Sequence, residues 1–340
     1  MADHTIERDT ALLRRAIALA ELSPLVDANP RVGCVVVDAS GRVAGEGYHH
    51  GAGTPHAEVE ALRAAGAAAR GGTAYVSLEP CNHTGRTGPC SVALIEAGVA
   101  RVVYALADPN PEASGGGDRL RAAGVDAAEV PVARALEVNR TWVFAQQRRR
   151  PFVTWKFAAT LDGRSAALDG TSQWITGPQA RADVHRQRAG CGAIIVGTGT
   201  ALADDPHLTV RHPDGSLLER QPLRVVVGRR RLPLGAHLLD DAAPTVQLDL
   251  DPAGVLADLG RRGVHHAWLE GGPTLAASFL RAGLVDEIVA YVAPALLGAG
   301  PPAVGDVGVG TISAIHRWNL GDLTRVGDDA RLTLTRPQEA

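Results

Sequence analysis

Helix-like and strand-like segments alternate from the start of this chain, stop at an arginine run, and then begin to alternate again. ALLRRAIALAEL reads as a helix, VGCVVVDA as a buried strand, HAEVEALRAAGAAA as a second helix and TAYVSLEP as a strand. CSVALIEAG returns to helix and ARVVYALAD to strand, an order that implies a mixed sheet covered by helices, an α/β/α sandwich. DPNPEASGGG reads as a flexible loop, and RLRAAG and ARALEVNRTWVFAQQ as helices. In QQRRRP the run Arg148 to Arg150 reads as a solvated linker face rather than a basic binding patch. The alternation restarts with FVTWKFAATLDG, then the helix PQARADVHRQRAG, the strands AIIVGTGTAL, PLRVVVG and HHAWLEGG, and the helix GPTLAASFLRAG. EIVAYVAPALL is a further strand, and the tail from IHRWNL to RLTLT suggests closing antiparallel strands. Two α/β domains are therefore expected, residues 1–147 and 151–340 with a junction at 148–150, and 340 residues suit two cores of roughly 100 to 200 residues each. No short internal repeat is visible.

Composition narrows the function classes. With 45% hydrophobic and 21% charged residues the chain is an ordinary globular protein. The opening MADHTIERDT is charged rather than an apolar signal core, and no run approaches the roughly 18 apolar residues of a membrane span, so the cytoplasm is the default. A net charge of −3 supplies no basic field for nucleic acid, leaving small anionic substrates held by local arginines. Lys156 is the one lysine among 34 basic residues, a bias that fits a GC-rich genome. Four cysteines, at 34, 81, 90 and 191, are too few for a disulfide scaffold and read as reduced thiols or metal ligands.

In TPHAEVEAL, His56 and Glu58 stand where a loop enters a helix, and in LEPCNHTGRTGPC, Cys81 follows a strand and Cys90 opens a helix. One histidine and two thiolates give a tetrahedral zinc three ligands and leave a position for water. Helix N-termini at the ligand segments favour the thiolate form. Glu58 is then the proton carrier rather than a ligand. The general deaminase signature H-x-E with P-C-x-x-C fits in its first half, but here the second cysteine lies nine residues on instead of three. A structural zinc would want a fourth ligand, His83 or Cys34, of which Cys34 reads better as a small core residue. His83 either orients substrate or faces solvent.

In the second half, polar or glycine residues fall at strand ends, where ligands of open α/β sheets collect. Gly271 and Gly272 in EGGPTLAASFL allow close backbone approach beside a helix start, a seat for a dinucleotide phosphate, although paired glycines in such turns are often only steric. In GTGTALADDP, Thr200 and Asp204 could contact a cofactor or simply make a turn. Trp174 in the polar SQWITG could stack on a flat ring. Lys156 could be a strand residue that snorkels.

ANPRVGCVVV, GAGTPHAEVEAL, LEPCNHTGRTGPC and ADPNP resemble the deaminase half of the bifunctional deaminase/reductases of riboflavin biosynthesis, in which the long cysteine spacing is the rule. KFAATLDGR, TSQWITG, ADDPHLTVR and EGGPTLAASFL resemble, in matching order, that family's dihydrofolate-reductase-like half, so that the likeness runs from Leu12 to Leu332. The resemblance implies a cytidine-deaminase-like domain with His56, Cys81 and Cys90 on zinc, Glu58 as proton shuttle and Asn29 holding the pyrimidine. The eight residues between the cysteines then read as part of the substrate pocket, with His83 and Arg86 its polar members. It implies NADPH near Ala158, Trp174, Thr200, Asp204 and the turn Gly272, Pro273, Thr274, Leu275, Ala276, Ala277 and Ser278. Phosphoribosyl substrate is implied near Ser172, Arg188, Leu208, Arg211 and Glu270, with Arg188 and Arg211 as phosphate forks. Lys156 or Asp204 would assist proton transfer in the reduction. The family also suggests a homodimer acting on small molecules.

Three departures stand out: Ala28 where proline is common, Gly88 in place of a proline, and Gly228-Arg229 where the family has an Asp-Ser pair beside the cofactor. An arginine there could meet the 2′-phosphate of NADPH. Two rival readings are a nucleic-acid base deaminase, which would need an aromatic-lined groove that 4% aromatic residues make hard to build, and a non-enzymatic zinc scaffold with a closed metal shell.

Overall fold

The computed structural model of the chain describes residues 2–84 and 88–337 and divides into two compact units, Met1–Arg148 and Arg149–Ala340. In the first unit the strands β1 (Gly33–Val37), β2 (Val43–Tyr48), β3 (Thr73–Val76), β4 (Arg101–Tyr104) and β5 (Asp126–Glu129) form one sheet in the order β2-β1-β3-β4-β5. β1 runs antiparallel to β2 and β3, whereas β3, β4 and β5 are parallel. The short parallel strands are apolar on both faces. Val36, Val76 and Val102 pack under α2 (Ala57–Ala65) and α3 (Cys90–Ala97), while Val35, Tyr75 and Val103 pack under α1 (Ala2–Ala20). The result is the three-layer sandwich that the alternating pattern predicts.

Strand β2 is absent from the sequence reading because VAGEGY lacks the apolar alternation of a strand. Its glycines serve packing. A Cβ on Gly47 would stand 2.5 Å from the Ala57 carbonyl oxygen, and one on Gly45 would stand 2.2 Å from that of Ala61, so α2 lies directly on the strand backbone. The segment predicted as one helix from Ala133 is two, α5 (Ala133–Val138) and α6 (Arg140–Arg148), separated at Asn139. The Asn139 side chain takes the Arg31 N–H and donates to the Arg31 carbonyl, both at 2.9 Å, which holds the joint in place. The GGG of the expected flexible loop is likewise structured, since Gly116 and Gly117 open α4 (Gly116–Ala122).

The second unit has an eight-stranded sheet in the order β12-β13-β11-β6-β10-β7-β8-β9. Six adjacent strands are parallel to one another: β6 (Phe152–Thr160), β7 (Ala193–Gly197), β8 (Leu223–Val227), β9 (Thr245–Leu248), β10 (His266–Leu269) and β11 (Glu287–Ala293). The tail forms the antiparallel pair β12 (Asn319–Val326) and β13 (Asp329–Thr335), as its pattern predicts. Val225, Ala267 and Ile195 face α9 (Pro252–Arg261) and α10 (Pro273–Arg281); Ile194, Val226 and Trp268 face α7 (Pro178–Ala189). Three corrections apply. AIIVGTGTAL is a strand only to Gly197 and then turns into α8 (Thr198–Asp204), because its β-branched run ends at Val196. β9 and α9 were not expected from the pattern. Arg150 is no solvated linker residue: its guanidinium grips the buried Asp286 carboxylate at 2.7 and 2.8 Å. Among the described residues no helix is long and apolar enough to cross a membrane.

The packing of α2 on β2 is testable. Gly47→Ala should cost about 1–3 kcal/mol in chemical denaturation, because helix backbone must move to admit the methyl, and should lower the zinc content of the purified protein. Unchanged stability would mean that the helix can slide freely.

Candidate active sites

His56 is the N-cap of α2, Cys90 is the first residue of α3, and Cys81 lies in the loop after β3. These three chain segments converge at one point. His56 Nδ1 stands 3.2 Å from Cys90 Sγ and 3.6 Å from Cys81 Sγ, and all three ligand atoms lie within 4.8 Å of one another. Tetrahedral zinc bonds of about 2.0 Å to nitrogen and 2.3 Å to sulfur put those atoms roughly 3.5 Å apart, so the donor set fits the ion in spacing and in chemistry. Among the described residues this is the cluster that could hold a metal; Cys34 is fully buried in the core below α2 and is not part of it.

The two thiols and the Glu58 carboxyl oppose one another's ionisation. A hydrogen bond from Cys90 and the nearby His56 pull the Cys81 thiol down to about 4, and the α3 N–H of Cys90 points at its sulfur at 3.4 Å. Cys90 is pushed well above the ordinary thiol value by Cys81, by burial and by Glu58. Glu58 is 3% exposed, and its carboxyl rises to about 7, first through burial and then through the Cys81 charge. Two thiolates and a carboxylate can share this dry pocket only with positive charge among them.

The pocket contains Asn29, His83 and Glu58 together with Cys81 and His56. Arg86 lies outside the described residues. The sequence reading missed several other lining residues, His49, Glu79, Asp108 and Asn110 among them. His49 Nδ1 lies 3.3 Å from the Pro55 carbonyl oxygen, which fixes the proton there and leaves Nε2 to accept from the Asn29 amino group at 3.0 Å. The Asn29 carbonyl oxygen is thereby left available. Glu79 accepts the N–H groups of Asp108 and Gly117 at 3.1 and 2.9 Å, tying the ADPNP loop and α4 to the ligand loop. Burial, aided by Glu79 and Cys81, raises Asp108 to about 6. The carboxylate in LEPC, one residue before Pro80, was the sequence signal for this anchor.

In the second unit the carboxyl ends of β6, β7, β8 and β10 carry the other candidate residues. Glu270 follows β10 and is held by Arg188, which touches both carboxylate oxygens, by Trp268 Nε1–H at 2.8 Å, and by Lys156 Nζ at 3.9 Å. Arg188 also donates to the Thr209 carbonyl oxygen at 3.4 Å. Despite burial, Arg188 and Lys156 hold the Glu270 carboxyl down at about 2. Burial in turn lowers Lys156, against the pull of Glu270. Thr200 Oγ1 accepts the Gly272 N–H at 3.2 Å, and a Cβ on Gly228 would strike Thr198 Oγ1 at 2.8 Å. The turns after β7, β8 and β10 thus meet at the carboxyl ends of the strands, the place where open α/β sheets bind dinucleotides.

Not every expected residue joins this group. Trp174 is 68% exposed and stacks under the Arg181 guanidinium at 4.6 Å, with Ser172 two positions before it. Ala158 is half-buried on β6, Leu208 is buried with φ 47°, and Asp204 is exposed at the end of α8. Arg211 bonds the Gly215 carbonyl oxygen in its own loop at 3.0 Å. On α10, Pro273, Thr274 and Leu275 form the first turn; the Ala276 and Ala277 side chains are in the core, and Ser278 donates back to the Leu275 carbonyl oxygen at 2.7 Å. Contacts from Ala276 to Ser278 could therefore come only through backbone or a rearranged hydroxyl.

Comparison with known proteins places both units. Residues 6–106 match the cytidine and deoxycytidylate deaminase zinc-binding region, and residues 151–332 match the RibD C-terminal domain. The riboflavin biosynthesis protein RibD of Mycobacterium tuberculosis is 52% identical over 308 residues, 90% of each chain. That of Escherichia coli is 39% identical, with 96% of this chain and 99% of the relative covered. The solved structure of Acinetobacter baumannii RibD, form 1, superposes with a TM-score of 0.90 at 38% identity, over 98% of this chain and 100% of that one.

The Glu270 cluster sets a pH dependence. A carboxyl depressed in the folded state stabilises it above the unfolded value and loses that contribution as pH falls toward the folded one. Glu270→Gln should be less stable than the parent by about 3 kcal/mol at neutral pH, with the gap closing below about pH 4.3. A gap independent of pH would show that charge is not its source.

Proposed function

The chain belongs to the RibD family of bifunctional deaminase/reductases of riboflavin biosynthesis, with a zinc-binding deaminase domain and an NADPH-dependent reductase domain, and on that premise we propose how its own residues divide the work. Residues 1–147 deaminate 2,5-diamino-6-(5-phosphoribosylamino)pyrimidin-4(3H)-one, and residues 151–340 reduce the ribosyl group of the aminouracil product to ribityl. The observation that carries the reading is the convergence of His56, Cys81 and Cys90 beside the buried carboxyl of Glu58.

In the first reaction His56 Nδ1 and the sulfurs of Cys81 and Cys90 hold zinc, which when bound activates a water as nucleophile. Glu58, buried beside the ligands, takes the proton from that water and returns it to the departing amino nitrogen. Asn29, oriented by His49, binds the pyrimidine edge through its carbonyl oxygen, and His83 lines the same pocket.

In the second reaction NADPH, when bound, supplies the hydride to the ribosyl carbon. Ala158, Trp174, Thr200, Asp204 and the turn from Gly272 to Ser278 hold it; Ser172, Arg188, Leu208, Arg211 and Glu270 hold the substrate. Glu270 keeps Arg188 and Lys156 fixed before substrate arrives, and Lys156, lowered by burial, is the proton donor to the ring oxygen, with Asp204 as the alternative. The chain works in the cytoplasm on small molecules, as a homodimer; the outer edge of β12, with Leu320 and Leu323 exposed, supports contact with a second copy.

Glu58→Gln should keep its zinc while ammonia release from the diaminopyrimidinone phosphate falls by about 10²–10⁴-fold, with NADPH consumption on supplied aminouracil product unchanged. Full deaminase activity in that variant would sink the assignment. In the reductase, unchanged NADPH oxidation in both Lys156→Ala and Asp204→Ala would remove the proton-transfer roles.

A further inference from the structure

The turn after β8 carries Arg229, Arg230 and Arg231 at the carboxyl edge of the sheet, and β9 holds its backbone. Gln247 Nε2 donates to the Gly228 carbonyl oxygen at 2.7 Å and to that of Arg230 at 2.8 Å, while the Gly228 N–H donates to the Leu248 carbonyl oxygen at 2.9 Å. The arginines on this clamped turn diverge. Arg229 Nε pairs with Asp249 at 2.8 Å on the β9 side, 86% exposed. Arg230 leans the other way: its Nη2 lies 3.3 Å from where a Cβ on Gly199 would be. Gly199 adjoins Thr198, which packs on Gly228, and Thr200, which accepts from Gly272. Arg230 therefore stands beside the turns that meet at the strand ends, and among the described residues no carboxylate pairs with it.

We infer that Arg230 binds the 2′-phosphate of NADPH and gives the reductase its preference for the phosphorylated dinucleotide. The inference rests on the NADPH reading of the second unit. A guanidinium fork free of carboxylates, on a turn fixed beforehand by Gln247, matches a terminal phosphate in charge and geometry. Arg229 is the poorer candidate because Asp249 holds it on the other side of the turn.

The test is calorimetric titration of the full chain with 2′-phospho-ADP-ribose and with ADP-ribose. The parent should prefer the phosphorylated ligand by about tenfold or more, and the preference should weaken as salt is raised. Arg230→Ala should reduce the preference to about twofold or less without weakening ADP-ribose, Arg230→Lys should retain part of it, and Arg229→Ala should keep it. An intact preference in Arg230→Ala, or its loss in Arg229→Ala instead, overturns the inference. Equal loss of both ligands in Arg230→Ala also overturns it, by moving the arginine to the pyrophosphate or to a structural role. If the parent binds both ligands equally, the inference fails while the cofactor reading stands; if it binds neither, both fail.

Discussion

The first active site depends on how closely α2 can approach the sheet. Gly45 and Gly47 remove the side chains that would hold the helix at ordinary distance, so the helix backbone rests on strand backbone. Because His56 caps that helix and Glu58 sits in its first turn, the depth of the helix sets the depth of the ligand and of the proton carrier. A shallower helix would expose Glu58 to water, where its carboxyl would return to the ordinary range and lose the capacity to hold a proton near neutrality. The alanines of α2 belong to the same constraint. Ala57, Ala61 and Ala65 are buried, and larger residues would hold the helix away.

The two sites handle buried charge in opposite ways. Around His56 the protein gathers two thiols and a carboxyl with no basic side chain but the imidazole among them, so burial and mutual repulsion push the Cys90 thiol and the Glu58 carboxyl toward their protonated forms and a dication would relieve both. Around Glu270 it neutralises charge internally: one carboxylate is surrounded by Arg188, Lys156 and the Trp268 N–H. Such a network spends its hydrogen bonds on rigidity and holds Lys156 and Arg188 in set positions before a ligand arrives. The first arrangement suits a cation. The second is already balanced within the protein.

The helix-strand order, the mixed first sheet and the closing antiparallel pair could be read from apolar periodicity, because those segments bury both faces or one clear stripe. The strand VAGEGY could not, since its glycines are selected for contact with a helix that periodicity does not reveal. The joint at Asn139 was hidden for a similar reason: its partner, Arg31, is 108 residues away. Of the first site, the ligands and Glu58 were legible because metal chemistry restricts residue types. His49 and Glu79 were not, because they act on Asn29 and on backbone N–H groups, partners that only the fold brings near. In the second unit, the resemblance implied Arg188 as a phosphate fork; its engagement with Glu270 joins the last turn of α7 to the end of β10, 82 residues further along the chain.

The wide cysteine spacing has a structural consequence that a compact P-C-x-x-C pair would not have. Cys81 ends a loop anchored through Glu79, and Cys90 begins a helix whose first N–H groups, those of Cys90 and Ser91, reach back to the sulfur and the carbonyl oxygen of Cys81. His83 lies between the two cysteines in sequence and lines the same pocket as Asn29 and Glu58. A short ligand pair makes a metal site to which substrate contacts must come from elsewhere in the fold. Here a residue between the two thiols, His83, lines the pocket that also holds Glu58 and the proposed metal ligands.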